Sequence, residues 1–273
     1  MRSRRALLPP RREREAARAS SDSSTTVRDC AMEMKADARV RLGLVHDRHE
    51  FLIEVVKKHR KVAHLGCTAS PYTLEAVRAN RLLHQRLLPL AEIVGFDVER
   101  ADLELLARLF PEERFVHGDL VSRPPVAERG GYDLVLAGEV LEHVPNAGSF
   151  LHSCGELLTP EGVLCITVPN ACSPKIGLRS LVGRESVHPD HHTYYGPRTL
   201  VRALAAAGFE VTALYSYFAP SGRVGHAANA ANAALRAAHR VFAGPVGDGL
   251  IAIAQAGPPR GEERGLSGAP AQE

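Results

Sequence analysis

A short apolar run that ends in small residues, KVAHLGCTAS over residues 61–70, places the strongest constraint on how this chain can fold. Val62, Ala63 and Leu65 are typical of a buried strand, and Gly66 begins a turn of small residues directly after it. Such a turn lets a ligand approach the backbone closely, and in doubly wound sheets ligands lie at the carboxyl ends of the strands. The run therefore predicts a nucleotide-like cofactor site at this edge of a sheet.

The rest of the chain alternates between strand and helix patterns, which predicts a doubly wound, mostly parallel α/β sheet of seven strands. The predicted strands cover residues 61–65, 92–96, 114–117, 132–137, 162–168, 210–218 and 249–256. Apolar residues at helical spacing predict helices over residues 47–59, 72–90, 99–110, 147–158, 197–207 and 223–242. A helical turn is expected at 139–144, and the histidine-rich stretch 171–196 is expected to be irregular.

Composition favours one folded domain over residues 37–256, since 45% of the 273 residues are hydrophobic. Residues 1–36 are predicted to be a disordered basic tail, and residues 257–273 a second disordered tail. Residues 1–19 hold seven arginines and two glutamates, which leaves the rest of the chain with a net charge of −2. Because the basic charge lies in a tail, we expect no nucleic-acid partner.

Two further features bear on the cellular setting. No apolar run reaches the length of about 18–20 residues that a membrane span needs, and Pro9 follows the twin arginines where an export signal would have its apolar core. The five cysteines form no CxxC pair, which is typical of a reduced, cytoplasmic protein. Oligomeric state cannot be inferred from these residues.

An aspartate follows each of the next two predicted strands. Asp97 can accept the hydroxyls of a ribose, or it can cap the helix that follows. Asp119 can accept a hydrogen bond from an adenine amino group, or it can serve as a turn residue. Both interpretations stay open, although acceptors at successive strand ends favour a shared ligand site.

The fourth predicted strand leads into AGEVLEHVP, in which Glu139, Glu142 and His143 are spaced to lie on one side of a helical turn. His143 could act as a general base, since the ordinary pKa of histidine lies near neutrality. The three side chains could instead hold a divalent cation, or the histidine could simply bond to the backbone. No metal ligand is assigned from these residues.

A second group of polar side chains lies in the segment HPDHHTYY before the helix at 197–207. His191 and His192 could supply a base, and Tyr194 and Tyr195 could bind a hydroxylated substrate. A zinc site that includes His188 lacks a clear fourth ligand, and polar side chains are also common in surface loops.

Five stretches together resemble the class I S-adenosylmethionine-dependent methyltransferases: KVAHLGCTAS, IVGFDV, HGD, YDLVLAGEVLEHVP and LLTPEGVLCITVPN. The similarity is greatest to the small-molecule branch that includes the quinone-biosynthesis O-methyltransferases, and TYYGPRTLVRALAAAGFEV extends it. The resemblance implies a Rossmann-like methyltransferase fold with an antiparallel last strand, and S-adenosylmethionine as cofactor. The family's first turn is D/E-x-G-x-G-x-G, whereas here His64 replaces the acid and Thr68 and Ser70 replace two glycines.

The resemblance also implies which residues meet each part of the cofactor. The methionine part would lie at Gly66, Cys67 and Thr68, and the ribose at Asp97. The remaining contacts would come from residues that follow the other strands: Val98, Asp119 and Leu120 at the adenine, and Ala137, Gly138 and Glu139 at the sulfonium.

The favoured hypothesis is therefore a methyltransferase that acts on a small-molecule acceptor, with O-methylation of a sugar, a quinone or a secondary metabolite expected. His143 is the first choice for the base, followed by His191 and His192. A degenerate, non-catalytic scaffold is the alternative, because of Thr68 and Ser70 in the first turn. A nicotinamide-dependent oxidoreductase is disfavoured, since no GxGxxG turn is present.

Overall fold

The computed structural model describes residues 42–119, 121, 124–184, 188–218 and 247–257. The strands are β1 (Leu42–Val45), β2 (Lys61–Leu65), β3 (Glu92–Asp97), β4 (Arg114–His117), β5 (Tyr132–Gly138), β6 (Leu158–Pro169), β7 (Phe209–Tyr217) and β8 (Gly249–Ala256). The helices are α1 (Arg48–Lys57), α2 (Thr73–Arg78), α3 (Leu83–Leu87), α4 (Arg100–Leu109), α5 (Ala147–Leu157), α6 (Pro174–Leu181) and α7 (Pro197–Ala206). Short 3₁₀ turns lie at Val126–Glu128 and Leu141–His143.

The strands form one sheet in the order β1-β7-β8-β6-β5-β2-β3-β4. β8 runs antiparallel to both of its neighbours, and the other paired strands of the described residues are parallel. The predicted doubly wound sheet with an antiparallel last strand is therefore confirmed. β2 lies between β5 and β3, so the turns and side chains that follow these strands share the carboxyl edge of the sheet.

The sheet has one strand more than the seven predicted. β1 pairs with β7 at the sheet edge, where Leu42 lies opposite Leu214. Its four residues are too few for a periodic pattern to identify a strand, and its ends, Leu42 and Val45, are buried only because the neighbouring elements cover them.

Apolar side chains cover both faces of the sheet. α5 and α7 pack on one face through residues such as Phe150 and Leu200. α1 and α3 pack on the other face through Leu52, Val56 and Leu87. This double cover explains why the inner strands are apolar along their whole length.

Two predicted segments are organised differently. The single helix expected over 72–90 is two short helices, α2 and α3, because Asn80 takes a left-handed conformation at φ +53° and ends the first one. α6 lies within the stretch expected to be irregular. The helix predicted at 223–242, the tail predicted at 1–36, and residues 258–273 of the tail predicted at 257–273 lie outside the described residues.

No helix of the described ranges has the length and apolar character to span a bilayer.

Candidate active site

The turn after β2 is built from backbone and requires glycine at its first position. Gly66 has φ +68°, and a Cβ placed on it would lie 2.5 Å from Val140 Cγ2. The backbone N–H groups of Gly66 and Cys67 both donate to the carbonyl oxygen of Phe96, at 2.9 and 3.2 Å. The Cys67 side chain is buried, so this residue can offer a ligand only its backbone.

Thr68 and Asp97 join this turn to the end of β3. The carboxylate oxygen Oδ2 of Asp97 accepts hydrogen bonds from the Thr68 backbone N–H at 3.0 Å and from the Thr68 hydroxyl at 2.8 Å. Its other oxygen, Oδ1, accepts the backbone N–H of Glu99 at 3.1 Å. A carboxylate has about four acceptor positions, so Asp97 keeps one on Oδ1 for a ligand hydroxyl.

The residues predicted at the adenine follow β3 and β4. The side chain of Val98 is exposed, and its carbonyl oxygen lies 3.1 Å from His117 Nε2. Asp119 is exposed, and its Oδ1 accepts the backbone N–H of Val121 at 2.9 Å. Leu120 lies outside the described residues.

A pair of buried histidines occupies the position of the family's acid. His64 Nδ1 lies 3.0 Å from His84 Nδ1, and the two rings are stacked. Burial lowers the pKa of His64 to about 4 and also lowers that of His84, so both rings are neutral at pH 7. Nothing in the leucine-rich pattern around His84 indicated this contact, which depends on how α3 packs beside β2.

Glu139, which follows β5, is held by three donors that the sequence analysis did not select. Its Oε1 accepts the Tyr217 hydroxyl at 2.8 Å and the Thr167 hydroxyl at 2.9 Å, and it lies 3.0 Å from Arg48 Nη1. Burial and the Glu139 carboxylate together raise the pKa of Tyr217. Since Arg48 and Tyr217 are distant in sequence from Glu139, no spacing rule could have found this network.

A cleft of about 180 Å³ lies at the carboxyl edge of the sheet, and its lining does not include Asp97, Val98 or Asp119. The cleft brings together all three predicted residues of the first turn, Gly66, Cys67 and Thr68, with Gly138 and Glu139. Its lining is Arg48, His49, His64, Gly66, Cys67, Thr68, Ala69, Ala76, Arg81, Leu82, Leu83, His84, Gly138 and Glu139. Ala137 is fully buried in β5 and does not line the cleft. A larger cavity of about 470 Å³, lined by residues such as Arg60 and Asp133, contains none of the predicted site residues.

The loop before α7 places two histidines against the 3₁₀ turn, and we call His143, His188 and His191 the histidine cluster. The ring of His143 lies 4.5 Å from that of His191 and 5.9 Å from that of His188, measured between centroids. The backbone N–H of His192 donates to the Glu142 carbonyl oxygen at 2.8 Å and fixes the loop on the turn.

Glu142 lies beside this cluster in an environment that disfavours its charge. The residue is 1% exposed, and neither of its carboxylate oxygens has a hydrogen-bond partner among the described residues. Burial, with a smaller contribution from the nearby Glu139 carboxylate, raises the pKa of Glu142 to about 8. His191 Nδ1 is likewise buried and has no partner in the described part of the chain.

The geometry defines a set of three groups that can hold a divalent cation. One ligand atom from each of Glu142, His143 and His191 lies within 4.8 Å of the others. Carboxylate oxygen and imidazole nitrogen are ligands that suit several divalent metals. The set predicted from spacing was different: Glu139 has a left-handed backbone at φ +57° and bonds to Arg48 instead, and His191 takes its place.

The hydrogen bonding of His143 determines which ring nitrogen can act as a base. Its Nδ1 lies 3.2 Å from the carbonyl oxygen of Asp190, which can only accept a hydrogen bond. Nδ1 therefore carries the proton, and the lone pair of the neutral ring lies on Nε2. His143 is exposed, so this nitrogen is accessible from solvent.

The remaining loop residues differ in accessibility. His192 is exposed, and the ring of Tyr194 lies 5.7 Å from that of His191. Tyr195 is instead 4% exposed and packs in the core, where its backbone pairs with Asn170. The prediction that Tyr195 binds a substrate is therefore wrong, because its side chain is buried, whereas Tyr194 is half-buried.

Comparison with known proteins agrees with this architecture. The model of a family described as "Methyltransferase domain" matches residues 44–214, which is more than half of the chain. A ubiquinone biosynthesis O-methyltransferase of Nitrosococcus oceani is 27% identical over 184 residues, which are 61% of this chain and 72% of that protein. The protein of the same name from a Chelativorans strain is 34% identical over 128 residues, which are 43% of this chain and 50% of that protein.

Solved structures show the same fold at low sequence identity. A candidate methyltransferase of Bacillus halodurans is 16% identical, with a TM-score of 0.51 over 77% of this chain and 99% of that one. A candidate methyltransferase of Haloferax volcanii, solved with a methyltransferase activator, is 18% identical, with a TM-score of 0.51 over 78% of this chain and 92% of that one.

The chain belongs to the methyltransferase domain family, and within it to the class I S-adenosylmethionine-dependent methyltransferases. The cofactor is S-adenosylmethionine. The residues present fit it, because the turn of Gly66, Cys67 and Thr68 lines a cleft at the carboxyl edge of the sheet and Asp97 keeps an acceptor for a hydroxyl.

Proposed function

We propose that this protein transfers the methyl group of S-adenosylmethionine to an oxygen atom of a small molecule. The names of the sequence relatives, which are ubiquinone biosynthesis O-methyltransferases, support an oxygen acceptor and favour a quinone-like compound. A sugar and another hydroxylated metabolite remain in the same chemical class, and the acceptor screen should contain all three.

The protein's own residues would bind the cofactor along the carboxyl edge of the sheet. The turn of Gly66, Cys67 and Thr68 would receive the methionine part, and Asp97 Oδ1 would accept a ribose hydroxyl. Val98, Asp119 and Leu120 are proposed at the adenine, as the family resemblance implies. The cofactor supplies the activated methyl group, so the protein mainly has to align the acceptor and exclude water.

The contact of His143 Nδ1 with the Asp190 carbonyl oxygen, which leaves the lone pair of the neutral ring on Nε2, is the observation that carries the proposed base. An acceptor hydroxyl that bonds to Nε2 would lose its proton to this nitrogen as its oxygen attacks the methyl carbon in line with the leaving sulfur. The Asp190 carbonyl holds the ring in the required tautomer through Nδ1. His191 and His192 are the next candidates for this role, and Tyr194 is proposed to contact the acceptor.

Two measurements test this proposal. The first is calorimetric titration of the purified protein with S-adenosylmethionine and S-adenosylhomocysteine, with NAD as the control ligand. We expect micromolar binding of the first two and about tenfold weaker binding in Asp97→Ala, since a hydrogen bond to a charged group is lost. Failure of the unmodified protein to bind either compound would refute the proposal and favour a non-catalytic scaffold.

The second measurement is the rate of S-adenosylhomocysteine formation with a panel of catechols, quinols and sugars. His143→Ala should lower kcat by about 100-fold, which is the usual contribution of a general base. His152→Ala removes an exposed histidine on α5 and is the matched control. An unchanged kcat in His143→Ala would exclude His143 and direct the search to His191 and His192.

A further inference from the structure

The helix α6 buries none of its residues, whereas every other described helix has at least one buried residue. Leu178 is 67% exposed, Leu181 is 84% exposed, and Val182, directly after the helix, is 68% exposed. Residues at i, i+3 and i+4 share one face of a helix. We call Leu178, Leu181 and Val182 the apolar face of α6.

This face is an unusual feature of the described surface. Apolar residues that are exposed singly are common on proteins, but a contiguous group with polar residues around it marks an interaction site. Of the six large hydrophobic side chains that are exposed among the described residues, three belong to this one short segment. The apolar face therefore needs a partner that covers it.

The charges beside the apolar face all have one sign. Residues 171–184 include Lys175, Arg179 and Arg184 and no acidic residue. Lys175 Nζ lies 2.8 Å from Asp248 Oδ1, which offsets its charge, while Arg179 and Arg184 are exposed. Leucines on one face of a helix with arginines beside them are typical of helices that lie on an anionic lipid surface.

The same charges argue against a second copy of this chain as the partner. In a two-fold dimer the same patch contacts itself. Arg179 and Arg184 of one copy would then lie near those of the other, and like charges in an interface oppose association. An anionic bilayer instead offers both an apolar interior and phosphates that complement the arginines.

The position of α6 relates this face to the candidate active site. α6 follows the carboxyl end of β6, which pairs with β5. Beyond α6, the loop before α7 places His188 and His191 against His143. A surface that contacts α6 therefore lies on the same side of the molecule as the histidine cluster.

We propose that α6 is a membrane-surface contact, in which the apolar face enters the interface of an anionic bilayer and Arg179 and Arg184 bind lipid phosphates. The contact is peripheral, since α6 has eight residues and a span needs about 20. The inference goes beyond the proposed methyl transfer and does not depend on it. A bilayer at this edge would let an acceptor that is dissolved in lipid enter the site from the membrane side.

A single tryptophan tests the contact directly, because the chain contains none. Leu181→Trp in the full chain is titrated with vesicles of phosphatidylcholine alone and with vesicles that also contain about 30% phosphatidylglycerol, which supplies the anionic charge. We expect the anionic vesicles to shift its emission to shorter wavelength, and lipids brominated in their acyl chains to quench it.

Ala107→Trp places the same reporter at an exposed position of α4 and is the control. It should show neither the shift nor the quenching. The control is needed because the seven arginines of residues 1–19 could hold the chain on an anionic vesicle without any contact at α6.

Cosedimentation of the full chain with the same vesicles measures the contribution of single residues. Leu178→Ser and Leu181→Ser should each weaken binding by about tenfold, and Arg184→Gln by about fivefold. Leu74→Ser changes a leucine on α2 that is 37% exposed and should leave binding unchanged. Circular dichroism melts check that each variant is folded, which we expect because the three substituted positions of the α6 segment are exposed.

Three results would overturn the inference. The first is an emission of Leu181→Trp that anionic vesicles do not change. The second is equal vesicle binding by the unmodified chain and both serine variants of α6, which would assign the binding to another part of the chain. The third is a dimer in sedimentation velocity that Leu181→Ser abolishes, without vesicle binding, which would assign the face to a second copy. None of these results bears on the cofactor titrations, so the proposed function is tested separately.

Discussion

Glu142 should make the stability of the metal-free protein depend strongly on pH. Its carboxyl is 1% exposed, and burial raises its pKa from the ordinary value of 4.5 to about 8. A raised folded-state pKa means that the folded protein binds the proton more tightly than the unfolded chain. The stabilising contribution is therefore complete below pH 4.5 and is lost as the pH rises towards 8.

The size of the effect follows from the shift in pKa. One unit corresponds to about 1.4 kcal/mol, so the free energy of unfolding should fall by about 2–3 kcal/mol between pH 5 and pH 7, and by about 4 kcal/mol up to pH 9. Glu142→Gln mimics the protonated carboxyl at every pH and should not show this loss. The variant should therefore be more stable than the unmodified protein at pH 8 and close to it at pH 5.

Urea unfolding followed by circular dichroism, in EDTA and at five values of pH, measures this difference. Subtracting the variant's free energy from that of the unmodified protein cancels the titration of the other groups. Glu161→Gln, which removes an exposed carboxylate, controls for the loss of one charge. A difference between the unmodified protein and Glu142→Gln that stays constant across the pH range would refute the reasoning.

Three other predictions address the turn and the histidine cluster. Gly66→Ala should lower the free energy of unfolding by about 1–3 kcal/mol, because of its positive φ and the contact with Val140, and Val140→Ala should restore only part of that loss in urea titrations. Thr68→Val removes the hydroxyl that donates to Asp97 and should cost about 1 kcal/mol of stability; no change in urea unfolding would show that this bond is not stabilising. Zn²⁺ added to EDTA-treated protein should raise the Tm of the unmodified chain by several degrees but not that of His191→Ala, and equal shifts in a thermal melt would argue against the cation site.

Most of the fold could be predicted from residue patterns, because each inner strand is an apolar run long enough to recognise. β2, β4 and β8 were predicted with the bounds that the structure has. β1 was not predicted, because its four residues are too few to show a strand pattern. The leucines of 72–90 fit a single helix, but Asn80 interrupts it. The polar residues at the strand ends were also recognised, since parallel strands deliver their carboxyl ends to one edge.

The contacts between those residues could not be predicted in the same way. Spacing placed Glu139 with Glu142 and His143 on one helical turn, but a left-handed backbone at Glu139 turns its side chain towards Arg48. His191 joined the set because the loop before α7 folds back onto the 3₁₀ turn.

The sequence by itself determined the alternation of strands and helices, the polar residues that meet at the carboxyl edge of the sheet, and the family of the chain. These depend on local patterns that are repeated along the chain. Only the tertiary structure decided that His64 pairs with His84, that Arg48 holds Glu139, and that Glu142 is buried among histidines. Such contacts join side chains whose distance in space depends on how whole elements pack, and no periodicity in the sequence records that distance.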